Sequence, residues 1–323
     1  MKAIVVAEFG EAAPLAVEER PIPEPREGYS LVRMHAATVN PLSNYIRSGK
    51  VPAGPAPLVL SNDGSGIVEQ SARFKPGTRV AIYGGASLGI TEDGLQQQWV
   101  AVKDNRLMPV PDDFSLDAAA ALPINFVTAW QALDRVGEAE SGQVALVSGA
   151  SGAVGQALIQ LMITKGIRPI AIVSSTQKVE TARNAGAETV IDLSKDDLPQ
   201  RVRELTYGQG ADIAFDTIGG DLLGPLLSTL RTRGAVVSIG FAGGELASVD
   251  VVDLVVYEKR LLGYDAHLET NADVDAAMSA LSQLVAEGLV NPSVDRCFSL
   301  ERANDAYQWL ESRQATGTIL LHL

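Results

Sequence analysis

Gly149, Gly152 and Gly155 stand three apart in VALVSGASGAVGQALIQL (144–161), between an apolar run of strand character and an apolar run of helical character. That spacing has a chemical use. A tight turn, a close backbone approach and a helix packed hard on a strand each need a residue without a side chain. Together they bring free backbone N–H groups and the positive end of a helix up to a pyrophosphate. The stretch reads as a dinucleotide site, with Gly149, Ser151, Gly152, Ala153, Val154 and Gly155 around the phosphates. The alternative is a glycine-rich turn with no ligand. Context favours the site, because the loop heads a series of six strand–helix units.

The next apolar strand ends in IVSSTQK, where a reader of the adenosine ribose is expected. An NAD site usually carries an acid there, yet none occurs before Glu180. Ser174, Ser175 and Lys178 instead offer hydroxyl donors and a point charge, which suit a 2′-phosphate. The cofactor expected is therefore NADPH. The bland reading is that Ser175 or Thr176 caps the next helix and Lys178 is solvated.

Six apolar strands position this site, near 144–148, 169–174, 188–192, 212–217, 235–240 and 261–265, with helical segments between them. Such alternation implies a six-stranded, doubly wound parallel sheet of Rossmann type. Before it the chain differs. Twelve of its 16 prolines lie in residues 1–125, so short strands joined by turns are expected there, near 3–9, 31–39, 66–70, 78–84 and 95–102. After the sixth strand come two helical segments, 271–287 and 300–313, and a last strand in TGTILLHL.

Composition bounds the partners. The 323 residues are 46% hydrophobic and carry a formal net charge of −13, which disfavours nucleic acid or a membrane surface as partner. The single cysteine, Cys297, allows no internal disulfide and fits a reducing, cytoplasmic setting. The opening MKAIVVAEFGEAAPL reads as a first strand and not a signal peptide. Cys297, in the apolar DRCFSL, is expected in the core, and His35, His267 and His322 are scattered without ligand spacing, each a structural residue.

Several segments resemble one family. VRMHAATVNPLSNYIRSGK (32–50), ALPINFVTAWQAL (121–133), GADIAFDTIGGD (210–221), GAVVSIGFAGG (234–244) and VDRCFSLERANDAYQWLESRQATGTILL (294–321) are similar to the zinc-independent quinone oxidoreductase (ζ-crystallin-like) branch of the medium-chain dehydrogenase/reductase superfamily. Short-chain dehydrogenases are disfavoured: no tyrosine has a lysine four residues on, and the glycine loop follows some 140 residues of other structure. The resemblance implies an α/β fold with a GroES-like β-barrel catalytic domain at 1–122, a Rossmann NADP-binding domain at 123–265 and a C-terminal return to the catalytic domain at 266–323. It also implies a homodimer or homotetramer in which sixth strands pair.

Zinc-dependent members place a cysteine where this chain has Val39-Asn40 and Gly-His-Glu where it has Ser61-Asn62-Asp63, and one cysteine cannot build their four-cysteine structural zinc lobe, so no metal is expected. Without a Lewis acid, hydride donation to a quinone or an α,β-unsaturated carbonyl is the easier chemistry. The resemblance assigns Asn40 to the nicotinamide ribose or the substrate carbonyl, and Tyr45 to the substrate oxygen as donor. It sets Thr128 beside the nicotinamide, and Gly240 and Phe241, at the carboxyl end of the fifth strand where ligands bind in such sheets, are expected to wall it. Structural readings stand beside these: Asn40 capping a short helix, Tyr45 packing its inner face and Arg47 pairing on the surface. One departure bears on the cofactor, since Asp192-Leu193 stands where relatives often carry Asn-Tyr. Two other functions share these features, an enoyl-thioester reductase and a non-catalytic NADPH-binding protein with a sensing or structural role.

Overall fold

The computed structural model describes residues 1–11 and 13–323. Chain contacts divide them into two units, Met1–Val127 with Glu269–Leu323, and Thr128–Leu268.

The first unit opens with strands β1 (Lys2–Val6) and β2 (Leu15–Glu19), then the long β3 (Tyr29–Val39) and the short helix α1 (Pro41–Arg47). Strands β4 (Leu58–Val59), β5 (Asp63–Gln70), β6 (Arg79–Tyr83), β7 (Trp99–Lys103) and β8 (Leu107–Pro109) follow. Helix α2 (Leu116–Ala121) begins at Ser115, whose hydroxyl accepts from Ala118 N, and it buries its alanine run. Helix α3 (Pro123–Gln131) crosses from the first unit into the second.

The second unit is the six-stranded parallel sheet expected from the apolar periodicity. Its strands are β9 (Val144–Val147), β10 (Arg168–Val173), β11 (Thr189–Asp192), β12 (Ala211–Asp216), β13 (Leu230–Ser238) and β14 (Arg260–Gly263). They lie side by side as β11-β10-β9-β12-β13-β14. Helices α4 (Ala153–Thr164), α5 (Val179–Asn184), α6 (Leu198–Leu205), α7 (Leu223–Ser228) and α8 (Val251–Val256) connect them. The central strands are buried on both faces, which is why their sequences run apolar without alternation. The order reverses between β9 and β10 on one side and β12 on the other, so the carboxyl end of β9 is the switch point where ligands bind in such sheets.

The chain then returns through α9 (Asn271–Ala286), held at its start by a reciprocal Thr270–Asp273 capping box, then β15 (Val294–Ser299), α10 (Ala303–Glu311) and β16 (Thr318–His322). Strand β16 inserts beside β3, giving the order β15-β16-β3-β5-β6-β8, with β7 also against β3 and a separate sheet β2-β1-β4. Strand β15 escapes the sequence pattern because VDRCFS buries only Phe298. The expected strand 95–102 begins only at Trp99, since Gln96 turns its amide inward to Thr38 O and the Tyr307 hydroxyl, 3.0 Å from each. Among the described residues no helix is long and apolar enough to cross a membrane.

Candidate functional site

The three glycines of the loop after β9 answer to different demands. Gly149 has φ +59°, and a Cβ there would fall 2.3 Å from Thr217 Oγ1. A Cβ on Gly155 would meet Gly149 O at 2.3 Å. The protein itself requires both. Gly152, at the N-cap of α4, has φ −81°, and a Cβ there would meet only Gly149 O, at 3.3 Å. Conformation does not ask for glycine at 152, and a Cβ there would need Gly149 O to give by only a few tenths of an ångström. A cradle that a side chain would fill is what close approach by a phosphate needs, next to N–H groups that the first turn of α4 leaves unpaired.

A buried carboxylate that sequence reasoning missed holds this loop. Asp216, at the end of β12, accepts from Ser148 Oγ at 2.6 Å and from Ile218 N and Gly219 N. Ser148 Oγ in turn accepts from Thr217 N at 3.0 Å. The signal was an acid closing the fully buried run IAFD of β12. Ser151 is buried, and its carbonyl accepts from Gln156 Nε2 at 2.9 Å.

At the end of β10, Ser174 is exposed while Ser175 and Lys178 are half-buried. Neither Ser175 nor Thr176 caps α5. Thr176 donates to Asp192 Oδ2 at 2.5 Å, and Ser194 donates its N–H and hydroxyl to Asp192 Oδ1. The bonds from Ser194 and Thr176 hold the Asp192 carboxyl below the usual carboxylate range. Gly240 and the half-exposed Phe241 follow β13 at its carboxyl end, and Thr128 is nearly buried on α3.

In the first unit, Asn40 does not cap α1 with its side chain. Its Nδ2 lies 2.8 Å from both Thr38 Oγ1 and Asp63 Oδ1. The Thr38 hydroxyl itself donates to Asp63 Oδ1, and Ile124 N in the first turn of α3 donates to Oδ2 at 3.3 Å. Asp63 is fully buried, and burial pushes its carboxyl up to about 7 against the opposing pull of those donors. Tyr45 lies on α1, half-buried, five residues beyond Asn40.

Zinc does not fit here. The positions equivalent to a zinc enzyme's ligands hold Asn40, whose amide is committed to Thr38 and Asp63, and Asn62, whose Nδ2 donates to Gly85 O at 3.2 Å. No thiol or imidazole accompanies them.

Three sequence expectations need correction. Arg47 is buried, bonded to Glu311 at 2.7 Å and stacked over Tyr307 at 4.9 Å, because α10 closes over it. Cys297 is exposed, since its side chain leaves the edge strand β15 away from the core; burial of its sulfur and the nearby Asp117 charge push the thiol up to about 11, which leaves it a poor nucleophile. His35 and His322 are not scattered. Both rings bond Asp117, at 2.8 and 2.9 Å.

A GroES-like sheet with a glycine-loop dinucleotide sheet inserted in its chain is the architecture of the medium-chain dehydrogenases and reductases. Residues 26–112 match the alcohol dehydrogenase GroES-like domain family, and residues 153–283 match the zinc-binding dehydrogenase family. Quinone oxidoreductase-like protein 2 of Bos taurus is 31% identical over 71% of this chain and 67% of that protein. A 2-haloacrylate reductase of Burkholderia is 29% identical over 94% and 93%. A mycobacterial structure complexed with NADPH superposes with a TM-score of 0.88 at 28% identity, covering 100% of both chains. The chain belongs to the quinone oxidoreductase branch of the medium-chain dehydrogenase/reductase superfamily, and it is an NAD(P)-dependent oxidoreductase.

Proposed function

We propose that the protein is an NADPH-dependent reductase with a zinc-free active site that delivers hydride to quinones or α,β-unsaturated carbonyls, acting as a cytoplasmic homodimer or homotetramer. NADPH supplies the hydride. The chain's part is to hold that cofactor, orient the acceptor and stabilise the oxygen that gains charge.

The observation that carries the reading is the Asn40 network. Thr38 Oγ1 and Asp63 Oδ1, bonded to each other and each 2.8 Å from Asn40 Nδ2, share one amide hydrogen and fix the side chain, which leaves Asn40 Oδ1 to accept a hydroxyl. Asn40 serves the nicotinamide ribose through that oxygen, and Tyr45 donates to the acceptor oxygen. No Lewis acid is available from the residues at the zinc positions, so the acceptor must already be electrophilic. Ser174, Ser175 and Lys178 are the binders of the 2′-phosphate. Thr128, Gly240 and Phe241 flank the nicotinamide, and Gly149, Ser151, Gly152, Ala153, Val154 and Gly155 take the pyrophosphate. Asp192 counts towards NADH by its charge, but its oxygens are already occupied by Thr176 and Ser194.

The 2-haloacrylate reductase likeness favours alkene reduction as the second reading. Oxidation of NADPH and NADH is measured against 1,4-benzoquinone, an alkenal and crotonyl-CoA, with and without brief chelator treatment. The proposal expects NADPH-dependent turnover of a quinone or alkenal that the chelator leaves unchanged. Preference for crotonyl-CoA would make the protein an enoyl-thioester reductase, and binding of NADPH without turnover of any acceptor would leave a sensing or structural role.

A further inference from the structure

A cluster of metal-ligating side chains lies in the first unit, apart from the residues given roles above. Asp117 Oδ1 is 2.8 Å from His35 Nε2 and 2.9 Å from His322 Nε2. Its other oxygen, Oδ2, is 3.9 Å from Cys297 Sγ. The ligand atoms of His35, Asp117 and His322 all lie within 4.8 Å of one another. The groups come from four elements: β3, α2, β15 and β16.

The backbone brings His35 there by an irregularity. His322 pairs with Ala36, so strict alternation would send His35 to the opposite face of the sheet. Between Met34 and Ala36, however, the β3–β5 register shifts, and His35 is the extra residue. The bulge re-aims it, and the two imidazoles meet with centroids 5.2 Å apart. Cys297 pairs with Leu320, two residues before His322, and therefore shares the His322 face.

We propose that His35, Asp117, Cys297 and His322 form a structural site for a divalent transition-metal ion, with zinc as the ion that best fits the set. Two imidazoles, one carboxylate and one thiolate are an N2OS donor set, the chemistry that tetrahedral zinc prefers over calcium or magnesium. The carboxylate and thiolate together balance the charge of the cation. Tetrahedral bonds of about 2.0–2.3 Å set ligand atoms roughly 3.3–3.8 Å apart, so His35, Asp117 and His322 need shifts of about an ångström, while Cys297, whose sulfur lies outside their 4.8 Å cluster, must swing further in by side-chain rotation on the exposed edge strand. On binding, the Cys297 S–H bond breaks and its proton goes to solvent. Without the ion each Nε2–H donates to Asp117 Oδ1; on binding, that proton leaves Nε2, the neutral ring keeps a proton on Nδ1 by exchange with solvent, and Nε2 takes the metal. The cation would tie the returning strands β15 and β16 to β3 and α2, the elements on either side of Asn40 and Asp63 in the chain.

The full chain, dialysed against chelator and then buffer, is titrated with Zn2+ in competition with a chromophoric chelator, and separately with Co2+ followed by absorption. The expected result is one ion per chain, a rise in Tm on Zn2+ addition, and a thiolate-to-cobalt charge-transfer band. His35→Ala/His322→Ala is expected to weaken Zn2+ at least about a hundredfold, since losing two ligands exceeds the roughly 10–100-fold cost of losing a residue that only supports a ligand. Cys297→Ser is expected to remove the charge-transfer band, and should fold because the thiol is exposed. NADPH oxidation by these variants stays that of the parent. No stoichiometric binding, or affinity unchanged in the double histidine variant, overturns the site; should that variant not fold, unchanged Zn2+ affinity in His322→Gln overturns it instead. A cobalt complex without the charge-transfer band overturns the four-ligand set. Because the readout is metal binding, failure here leaves the reductase reading untouched.

Discussion

Asn40 is bound to Asp63: its Nδ2 stands 2.8 Å from Asp63 Oδ1, on a carboxylate that burial pushes up to about 7. The acid that fixes the amide therefore titrates near neutrality. The unfolded chain releases the proton near the ordinary value of 3.8, whereas the folded chain keeps it to about 7. In that window the native state binds more protons, so stability falls as pH rises from about 4 to about 7 and is then flat. The shift corresponds to roughly 4 kcal/mol. Asp63→Asn keeps an acceptor for Thr38 and Asn40 and removes the titration. Urea unfolding at pH 5, 6, 7 and 8 should show that the variant loses this slope relative to the parent. Identical slopes would mean that Asp63 does not carry it.

Asn40 itself is tested by truncation. Asn40→Ala removes the proposed acceptor for the ribose hydroxyl without touching the glycine loop. Misplacing a reacting group by about an ångström costs on the order of a hundredfold in rate. Steady-state kinetics should show a fall in kcat of about that size, with at most a modest rise in the KM for NADPH. Asp63→Ala should reproduce part of the loss, since it frees the amide that Asp63 and Thr38 now hold.

The difference between Asp63 and the glycine loop is also a difference in what a sequence exposes. The strands of the second unit were legible because burial on both faces writes itself as unbroken apolar runs such as VALV and PIAIV. Gly149 and Gly155 were legible because no other residue fits them. Polar networks leave no such local mark. Ser148 meets Asp216 across 68 residues, and Asp117 meets His322 across 205. His35 was further hidden by a bulge, which breaks the alternation from which its facing would be read. The short strands β4 and β8 are two and three residues long, too brief for any period to show.

Tyr45→Phe separates donation from packing, because the ring stays and only the hydroxyl goes. Reduction of an enone makes an enolate that needs a proton, and loss of a positioned acid costs about a hundredfold. A hydroquinone anion is far less basic, so its formation depends less on the donor. The expected outcome is a large fall in kcat for the alkenal and a smaller one for benzoquinone. Full turnover of both by Tyr45→Phe would show that the hydroxyl has no part in the reaction.

Cofactor choice rests on Lys178 against Asp192. A hydrogen bond to a charged phosphate is worth about 1.5 kcal/mol or more, so Lys178→Ala should lower kcat/KM for NADPH about tenfold and leave NADH unchanged. Asp192→Asn removes the negative charge while its oxygen can still accept from Ser194 and its amide can donate to the Thr176 hydroxyl, and it should raise kcat/KM for NADPH relative to NADH. A parent enzyme that prefers NADH, and a Lys178→Ala variant indistinguishable from it, would assign the ribose to Asp192 instead.

The last prediction concerns the edge of the parallel sheet. Strand β14 is an edge strand, and Leu261 on it is 41% exposed. On the preceding helix α8, Val251, Val252, Val255 and Val256 are each about two-thirds exposed, although the helix is anchored. Asp250 caps its start, and the buried Lys259 just beyond it bonds Asp253 at 2.8 Å and Leu227 O at 2.9 Å. Apolar side chains held outward beside unpaired strand N–H and C=O groups invite a second copy, and pairing of edge strands would cover both. Val255→Asp/Val256→Asp places two charges in such an interface without disturbing the cap or the lysine anchor. Light scattering after size exclusion should show the parent as a dimer or larger and the variant at half that mass or less, with the Asn40 and Tyr45 region unaffected. A parent that is already monomeric, or a variant that keeps the parent's mass, would rule this edge out as the contact.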